Sequence, residues 1–298
     1  MSMSFHPGER EVQSRAGVQA RAERTRGMLS ERMPDAARAF LRQLPFALLG
    51  GAAPSGAVWA SLLCGPPGFL DPTEPDLLRI SGTLAPWDPL SGALEPGGAV
   101  GLLAIEPATR RRMRVNGILQ AAPDGELRLH TLQVYANCPK YIQARAVAFT
   151  GAAGAGRTTV AQRLDADHRR WIESSDTAFI ASTHKEGGAD VSHRGGAPGF
   201  IRILDEGTLL MPDYLGNALF QSLGNLVLDP RVGLLWPGFA GEGTLQISGR
   251  AELLWDGPLV ASLAGAERAL LIRVEQVVRS SIPLPLQWGA SEPSLFNP

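Results

Sequence analysis

The chain repeats itself. WASLLCGPPGF, Trp59 to Phe69, lies over DVSHRGGAPGF, Asp190 to Phe200, at a shift of 131, which aligns Ser61 with Ser192, Gly65 with Gly196, Pro67 with Pro198 and Phe69 with Phe200. At a shift of 132, Gly92 falls on Gly224, the VGLL beginning at Val100 on the VGLL beginning at Val232, and Gly117 on Gly249. A shift that holds from Ser61 to Gly117 with one step of a single residue means two copies of one structural unit. Whatever the fold is, the chain must build it twice.

The texture inside each copy says what that unit is. Apolar runs of strand length (PFALLGG, AVWASLLCG, AVGLLAIE, RVGLLW, TLQISGRAELLW) are cut apart by turn residues, and 34 Gly and 23 Pro supply the cuts. Short strands at regular spacing point to a barrel or sandwich over a helical bundle. Helical texture is peripheral. Residues 9–43 are rich in Arg, Glu, Gln and Ala with Pro34 as the one strong breaker, and predict two outer helices; Val160 to Ser174 predicts another. The Gly/Ala-rich stretch from Thr150 to Thr159 reads as a linker, and the Pro-rich tail from Ser281 as irregular. The expected organisation is a helical cap at 1–44, a first repeat at 45–149, a linker at 150–160 and a second repeat at 161–298.

A net charge of −1 gives no whole-molecule field to draw in nucleic acid or an anionic membrane, so any anion site must be local. The apolar runs fall far short of the roughly twenty residues of a membrane helix. The N-terminus lacks the apolar core of a secretory signal, and two cysteines, Cys64 and Cys138, build no disulfide framework, so a reducing cytoplasm is expected. Cys64 reads as a small core residue and Trp236 as core, whereas Trp288 could cover a ligand or simply pack.

The two copies differ in chemistry. In the second, Asp190, Ser192 and Arg194 alternate with Val191 and His193, the signature of a strand with a polar face. Pro212 to Asn225 then sets Tyr214, Asn217, Ser222 and Asn225 among leucines, spaced like a short helix with a polar edge. A strand bearing Ser and Arg beside such a helix start can hold a phosphate. The first copy has Leu62, Leu63 and Ala93 where the second has His193, Arg194 and Asn225; in exchange it carries Arg110, Arg111, Arg112 and Arg114, and later Asn137 and Lys140. If the two copies pair as a covalently tied pseudo-dimer, basic residues of one reach the polar pocket of the other. Each signal has a plain reading as well: His193 and Arg194 as a solvated strand face, Arg110 to Arg114 as an exposed charged hairpin, Lys140 as surface. GAAGAGRT, Gly151 to Thr158, has the spacing of a phosphate-binding P-loop with Arg157 in place of Lys, but it sits between two β units and lacks the strand and long helix such a loop requires.

On SHRGGAPGF, PDYLGN followed by SLGNLVLDPRVGLLW, RRRMRVNG and NCPKYI, the sequence resembles the pyridoxamine 5′-phosphate oxidase-like, FMN-binding split-barrel superfamily, once per repeat and in its tandem form. The resemblance implies a mainly β fold of two tandem split barrels with peripheral helices, arranged as a pseudo-dimer with FMN between the barrels. It places Ser192, His193 and Arg194 along the flavin, Asn217, Ser222 and Asn225 near its phosphate, and Arg112, Arg114 and Lys140 reaching across from the first copy. It implies an FMN-dependent oxidoreductase passing electrons from a reduced nicotinamide or small organic donor to oxygen or a partner, with a reductase as a possible partner and no metal. The ferredoxin-reductase and iron–sulfur modules fused to some tandem relatives are absent, as is a second basic cluster for a substrate phosphate. His193 is the one titratable group expected near the ring with a range suited to proton transfer. The rival expectation is a protein that carries flavin or haem without turnover. A homodimer of pseudo-dimers is compatible with either.

Overall fold

A computed structural model describes residues 4–122, 126–151, 154–186, 188–241 and 243–298. Three helices lead the chain where two were expected: α1 (Pro7–Arg15), α2 (Gln19–Arg26) and α3 (Asp35–Arg42). The extra break lies at Gly17, whose φ of 67° is left-handed. The first sheet holds β1 (Phe46–Ala52), β2 (Val58–Cys64), β3 (Leu70–Glu74), β4 (Leu77–Ile80), β5 (Thr83–Leu84), β6 (Ala99–Glu106), β7 (Arg111–Gln120) and β8 (Leu127–Ala136). After β9 (Val147–Phe149) and β10 (Thr158–Ala161) comes α4 (Ala166–Ser174), which leads into β11 (Thr177–His184), β12 (Gly188–Gly195), β13 (Arg202–Asp205) and β14 (Thr208–Asp213). The chain then runs through α5 (Gln221–Leu228), β15 (Arg231–Gly238), β16 (Gly243–Leu254), α6 (Pro258–Ala261), β17 (Arg268–Ser280) and β18 (Leu286–Trp288).

The repeat is visible in the topology. The first sheet runs β3-β4-β8-β7-β6-β1-β2-β5 and the second β13-β14-β17-β16-β15-β11-β12, the same order strand for strand with β5 and β10 added. Both carry a bulge at the same place, Asn116/Gly117 between β7 and β8 and Ser248/Gly249 between β16 and β17. A Cβ on Gly117 would lie 1.9 Å from the carbonyl oxygen of His130, and one on Gly249 2.1 Å from that of Arg273. Two glycines that aligned in the sequence are thus the two residues the bulges need.

The central strands are buried on both faces. Leu49, Leu102 and Ala104 point into the first barrel, while their neighbours Leu48, Leu103 and Ile105 join Phe179, Ala181, Val191 and Leu235 in a core shared by the two barrels. Period two with both faces apolar explains the near-continuous hydrophobic runs. The shared core is two-fold in character: an added Cβ on Gly101 would meet the Cα of Asp190 at 2.6 Å, and one on Gly233 the Cα of Trp59 at 2.6 Å.

Several boundaries differ from the sequence expectation. Thr158–Ala161, at the end of the expected linker, pairs with β17, so no helix follows the GAAGAGRT segment; residues 152 and 153 of that segment lie outside the described ones. Helix α4 starts later than Val160, where Asp165 caps it by accepting hydrogen bonds from the main-chain N–H of Asp167 and His168. Pro212 lies inside β14, opposite Ala269 of β17 and past Leu210, where the pairing with β13 ends, and α5 begins only at Gln221. The tail from Ser281 is not wholly irregular, because β18 pairs with β9. Among the described residues no helix is long and apolar enough to cross a membrane.

Candidate functional site

Strand β12 ends against β7 of the other barrel, and a cleft opens at that junction. Its walls include Arg112 and Arg114 from β7, Asn137, Cys138, Lys140 and Tyr141 from the segment after β8, Ser192, His193 and Arg194 from β12, and Tyr214 and Asn217 after β14. The cleft therefore gathers Arg112, Arg114, Lys140, Ser192, His193, Arg194 and Asn217 from both copies. About 80 Å³ of it is open to water.

The cations divide into committed and uncommitted ones. Arg114 is committed. Its Nη1 donates to the Tyr135 hydroxyl at 2.6 Å, its Nη2 donates to Ser192 Oγ, and its Nε lies 3.3 Å from Asp190 Oδ1. Burial works against this guanidinium, but Asp190 and Tyr135 outweigh it and hold the charge in place. Asp190 is fully buried and also takes hydrogen bonds from Ser222 Oγ and from Asn116 Nδ2, the latter at 3.3 Å. Ser192 and Ser222 thus serve an internal network, and Ser222 stands behind the cleft wall, in a neighbouring recess. Asn225 lies farther back: it is fully buried and its Nδ2 donates to Ser182 Oγ at 3.3 Å. The expected grouping of Asn217, Ser222 and Asn225 around one phosphate does not form, because α5 starts four residues after Asn217 and turns Ser222 and Asn225 inward. Asn217 itself closes a local turn, its Oδ1 accepting the Leu219 N–H at 3.1 Å.

Arg112 is uncommitted. Among the described residues its hydrogen bonds run only to main-chain carbonyls, that of Cys138 at 3.0 Å and those of His193 and Lys140 at 3.5 Å. Burial, with Arg114 and Arg194 nearby, pushes its pKa down to about 9. A guanidinium held in a wall without an acid partner is poised for an anion. Arg194 reaches Asp213 only at 3.9 Å, and that carboxylate is already held by Arg268 at 3.0 Å. Burial lowers the pKa of Arg194 as well. Lys140 has no carboxylate within ion-pair distance among the described residues; its ammonium sits 5.4 Å from the Phe296 ring.

His193 is nearly fully buried, edge-on to Phe179 with centroids 5.7 Å apart, and its Nδ1 has no hydrogen-bond partner. Burial first, then Arg112, Arg194 and Arg145, holds its pKa well below the ordinary 6.5. Its surroundings thus favour the neutral imidazole, with the proton-accepting Nδ1 left bare. Among the described residues, its bare Nδ1, the Oδ1 of Asn137 and the Nε of Arg114, which only approaches Asp190 at 3.3 Å, are buried atoms of the wall without a hydrogen-bond partner.

Sequence reasoning named Tyr214 on a polar edge without giving it a role, and passed over Tyr141. Tyr141 adopts a left-handed φ of 66°, its hydroxyl donates to the Leu215 carbonyl at 3.2 Å, and its ring lies 5.1 Å from that of Tyr214. Together they narrow the mouth. The signal was present, since both sit in polar, Pro-containing stretches already singled out, NCPKYI and PDYLGN.

The equivalent place on the other side of the pseudo-two-fold is closed. Gln246 occupies the position of Arg114, and its Nε2 donates to the Ala60 carbonyl at 2.9 Å and to Asp88 Oδ2 at 3.0 Å, while Ser61 Oγ donates to Asp88 Oδ1 at 2.6 Å. Leu62 and Leu63 replace His193 and Arg194, and Cys64 stands where Gly195 does. Trp288 packs there, edge-on to Phe46 and Phe239 at 5.1 and 5.0 Å, which decides between its two readings. Trp236 is fully buried in the second core.

Residues 164–280 match the family described as pyridoxamine 5′-phosphate oxidase. Among solved structures, a putative pyridoxamine 5′-phosphate oxidase from Lactobacillus delbrueckii is 14% identical, with a TM-score of 0.33, over 39% of this chain and 93% of its own. An FAD-binding protein from Mycobacterium smegmatis is 15% identical, with a TM-score of 0.29, over 40% of this chain and 97% of its own. HupZ of Group A Streptococcus is 13% identical, with a TM-score of 0.32, over 38% of this chain and 90% of its own. No curated protein matches the chain.

Proposed function

From a second barrel of the pyridoxamine 5′-phosphate oxidase type, we propose that this chain binds one flavin, as FMN, in the cleft between its barrels and works as a flavin-dependent oxidoreductase. The observation that carries this is Arg112, a cation in the wall with main-chain partners only, beside an incompletely paired Arg194. Their forks suit a phosphate, and the free Nδ1 of His193 and Oδ1 of Asn137 suit the edge of a polar ring system. The flavin would supply the electron or hydride transfer, and the protein its binding and orientation.

The residues fit the group in charge and chemistry, and the space fits only after a movement. Room for a handful of waters does not admit a nucleotide. The rim that would yield is Gly216 to Phe220, where Ala218 and Phe220 hold left-handed φ values of 66° and 60°, a conformation that costs roughly 1–2 kcal/mol per residue. His193 would meet the flavin through its unpartnered Nδ1.

The test is direct. Purified protein titrated with FMN should quench flavin fluorescence with a saturable curve, and bound flavin should bleach under NADH or NADPH and recover in air. Protein that takes up no FMN sinks the proposal, and a Soret band on isolation would point to haem instead. FMN that binds but resists every nicotinamide donor would identify a carrier or a different electron source.

A further inference from the structure

With Arg112 and Arg194 assigned to a phosphate, the cleft keeps one cation and two rings at its mouth. Lys140 lines the cleft, and among the described residues its ammonium meets only the Phe296 ring, at 5.4 Å. The next residue, Tyr141, is forced into the mouth. Its carbonyl is packed against Gly195 so closely that a Cβ there would lie 2.1 Å from the oxygen, and it accepts Gln143 Nε2 at 3.1 Å. Backbone held on that side leaves the ring to face Tyr214 across 5.1 Å at an angle of 37°. The rim beyond is apolar: Leu215 is 42% exposed and Phe296 51%. Phe296 is held in place by the tail, where the Ser294 N–H donates to Gln143 Oε1 at 2.7 Å and Asn297 Nδ2 to the same oxygen at 3.1 Å.

We infer that the mouth of this cleft binds an aromatic carboxylate, its carboxylate on Lys140 and its ring against Tyr141 and Tyr214; the inference rests on the flavin reading for the deeper part. A single flexible ammonium in a half-exposed position satisfies one carboxylate, whereas a phosphate is better held by the planar forks farther in. Paired rings and an apolar rim favour a ligand with a flat hydrophobic body and disfavour a small, wholly hydrated anion.

The experiment uses full-length protein loaded with FMN and titrated with 2-naphthoate or the neutral 2-naphthalenemethanol, read by perturbation of the flavin absorbance and by calorimetry. Naphthoate should bind at least tenfold more tightly than the alcohol. Lys140→Met, with Lys140→Gln as the second variant should the first misfold, should erase that preference. Tyr214→Ala should weaken both ligands together. Equal binding of the two, a preference that survives both Lys140 variants, or 2-naphthyl phosphate binding more tightly than naphthoate would overturn the inference. Protein that takes up no FMN overturns the flavin reading and this inference with it, while FMN-loaded protein that ignores naphthoate overturns the inference alone.

Discussion

Arg112 donates only to main-chain carbonyls, whereas Arg114, two residues along the same strand, is held by Asp190, Ser192 and Tyr135. Their substitutions should separate binding from stability. Arg112→Ala should weaken FMN by about 1.5–3 kcal/mol, one charge-assisted contact, with little change in unfolding. Arg114→Ala leaves Asp190 buried without its cation and should cost about 3–5 kcal/mol in urea denaturation. Equal effects of the two on both measurements would contradict this division. A second pair acts through pH. Burial pushes the Glu9 carboxyl from 4.5 up to about 7, so between those values the folded chain keeps a proton the unfolded chain has lost, and stability falls as pH rises. His6, lowered to about 4 by burial and by His184, gives the opposite slope up to its ordinary 6.5. Glu9→Gln removes one slope and leaves the other. The stability of the wild type relative to that variant should therefore decline from pH 4.5 to 7, by about 3 kcal/mol at most. A difference that stays flat with pH would mean that Glu9 does not hold its proton.

Between elements, the two barrels meet where glycine lets one backbone lie on another. Gly101→Ala places a methyl 2.6 Å from the Cα of Asp190, and neither main chain can give way cheaply. Overpacking of this kind costs about 1–3 kcal/mol, so the variant should melt at a lower temperature. An unchanged melting curve would mean that the shared core is looser than described. Which strands exist was readable from short apolar runs between turn residues, and the doubling was readable from aligned glycines and prolines. Boundaries were less readable. Thr158–Ala161 follows a Gly/Ala stretch, and only its pairing with β17 makes it a strand. Pro212 looked like the head of a helix because proline donates no hydrogen bond to a ladder, and only the sheet shows that pairing with β13 stops at Leu210 and leaves Pro212 beside β17 alone.

For the whole molecule, the pseudo-two-fold makes two junctions and the side chains keep one open. FMN titration should therefore saturate at one flavin per chain. Saturation at two would mean that the Ser61, Asp88 and Gln246 cluster opens, which burial of Asp88, its carboxyl pushed up to about 6, argues against. The chain by itself determined the repeat, the β character and the copy that holds the polar groups, because periodicity, turn residues and residue identity are local facts. It also marked most of the residues that line the cleft. Only the tertiary structure decided which of them are free. Ser192, Ser222 and Arg114 look as available in sequence as Arg112, yet the buried carboxylate of Asp190 engages Ser222 and Arg114, and Arg114 in turn engages Ser192. Tyr141 and Tyr214, more than seventy residues apart, meet because two barrels fold against each other. Availability depends on what a side chain already touches, and those contacts join residues that the sequence holds far apart.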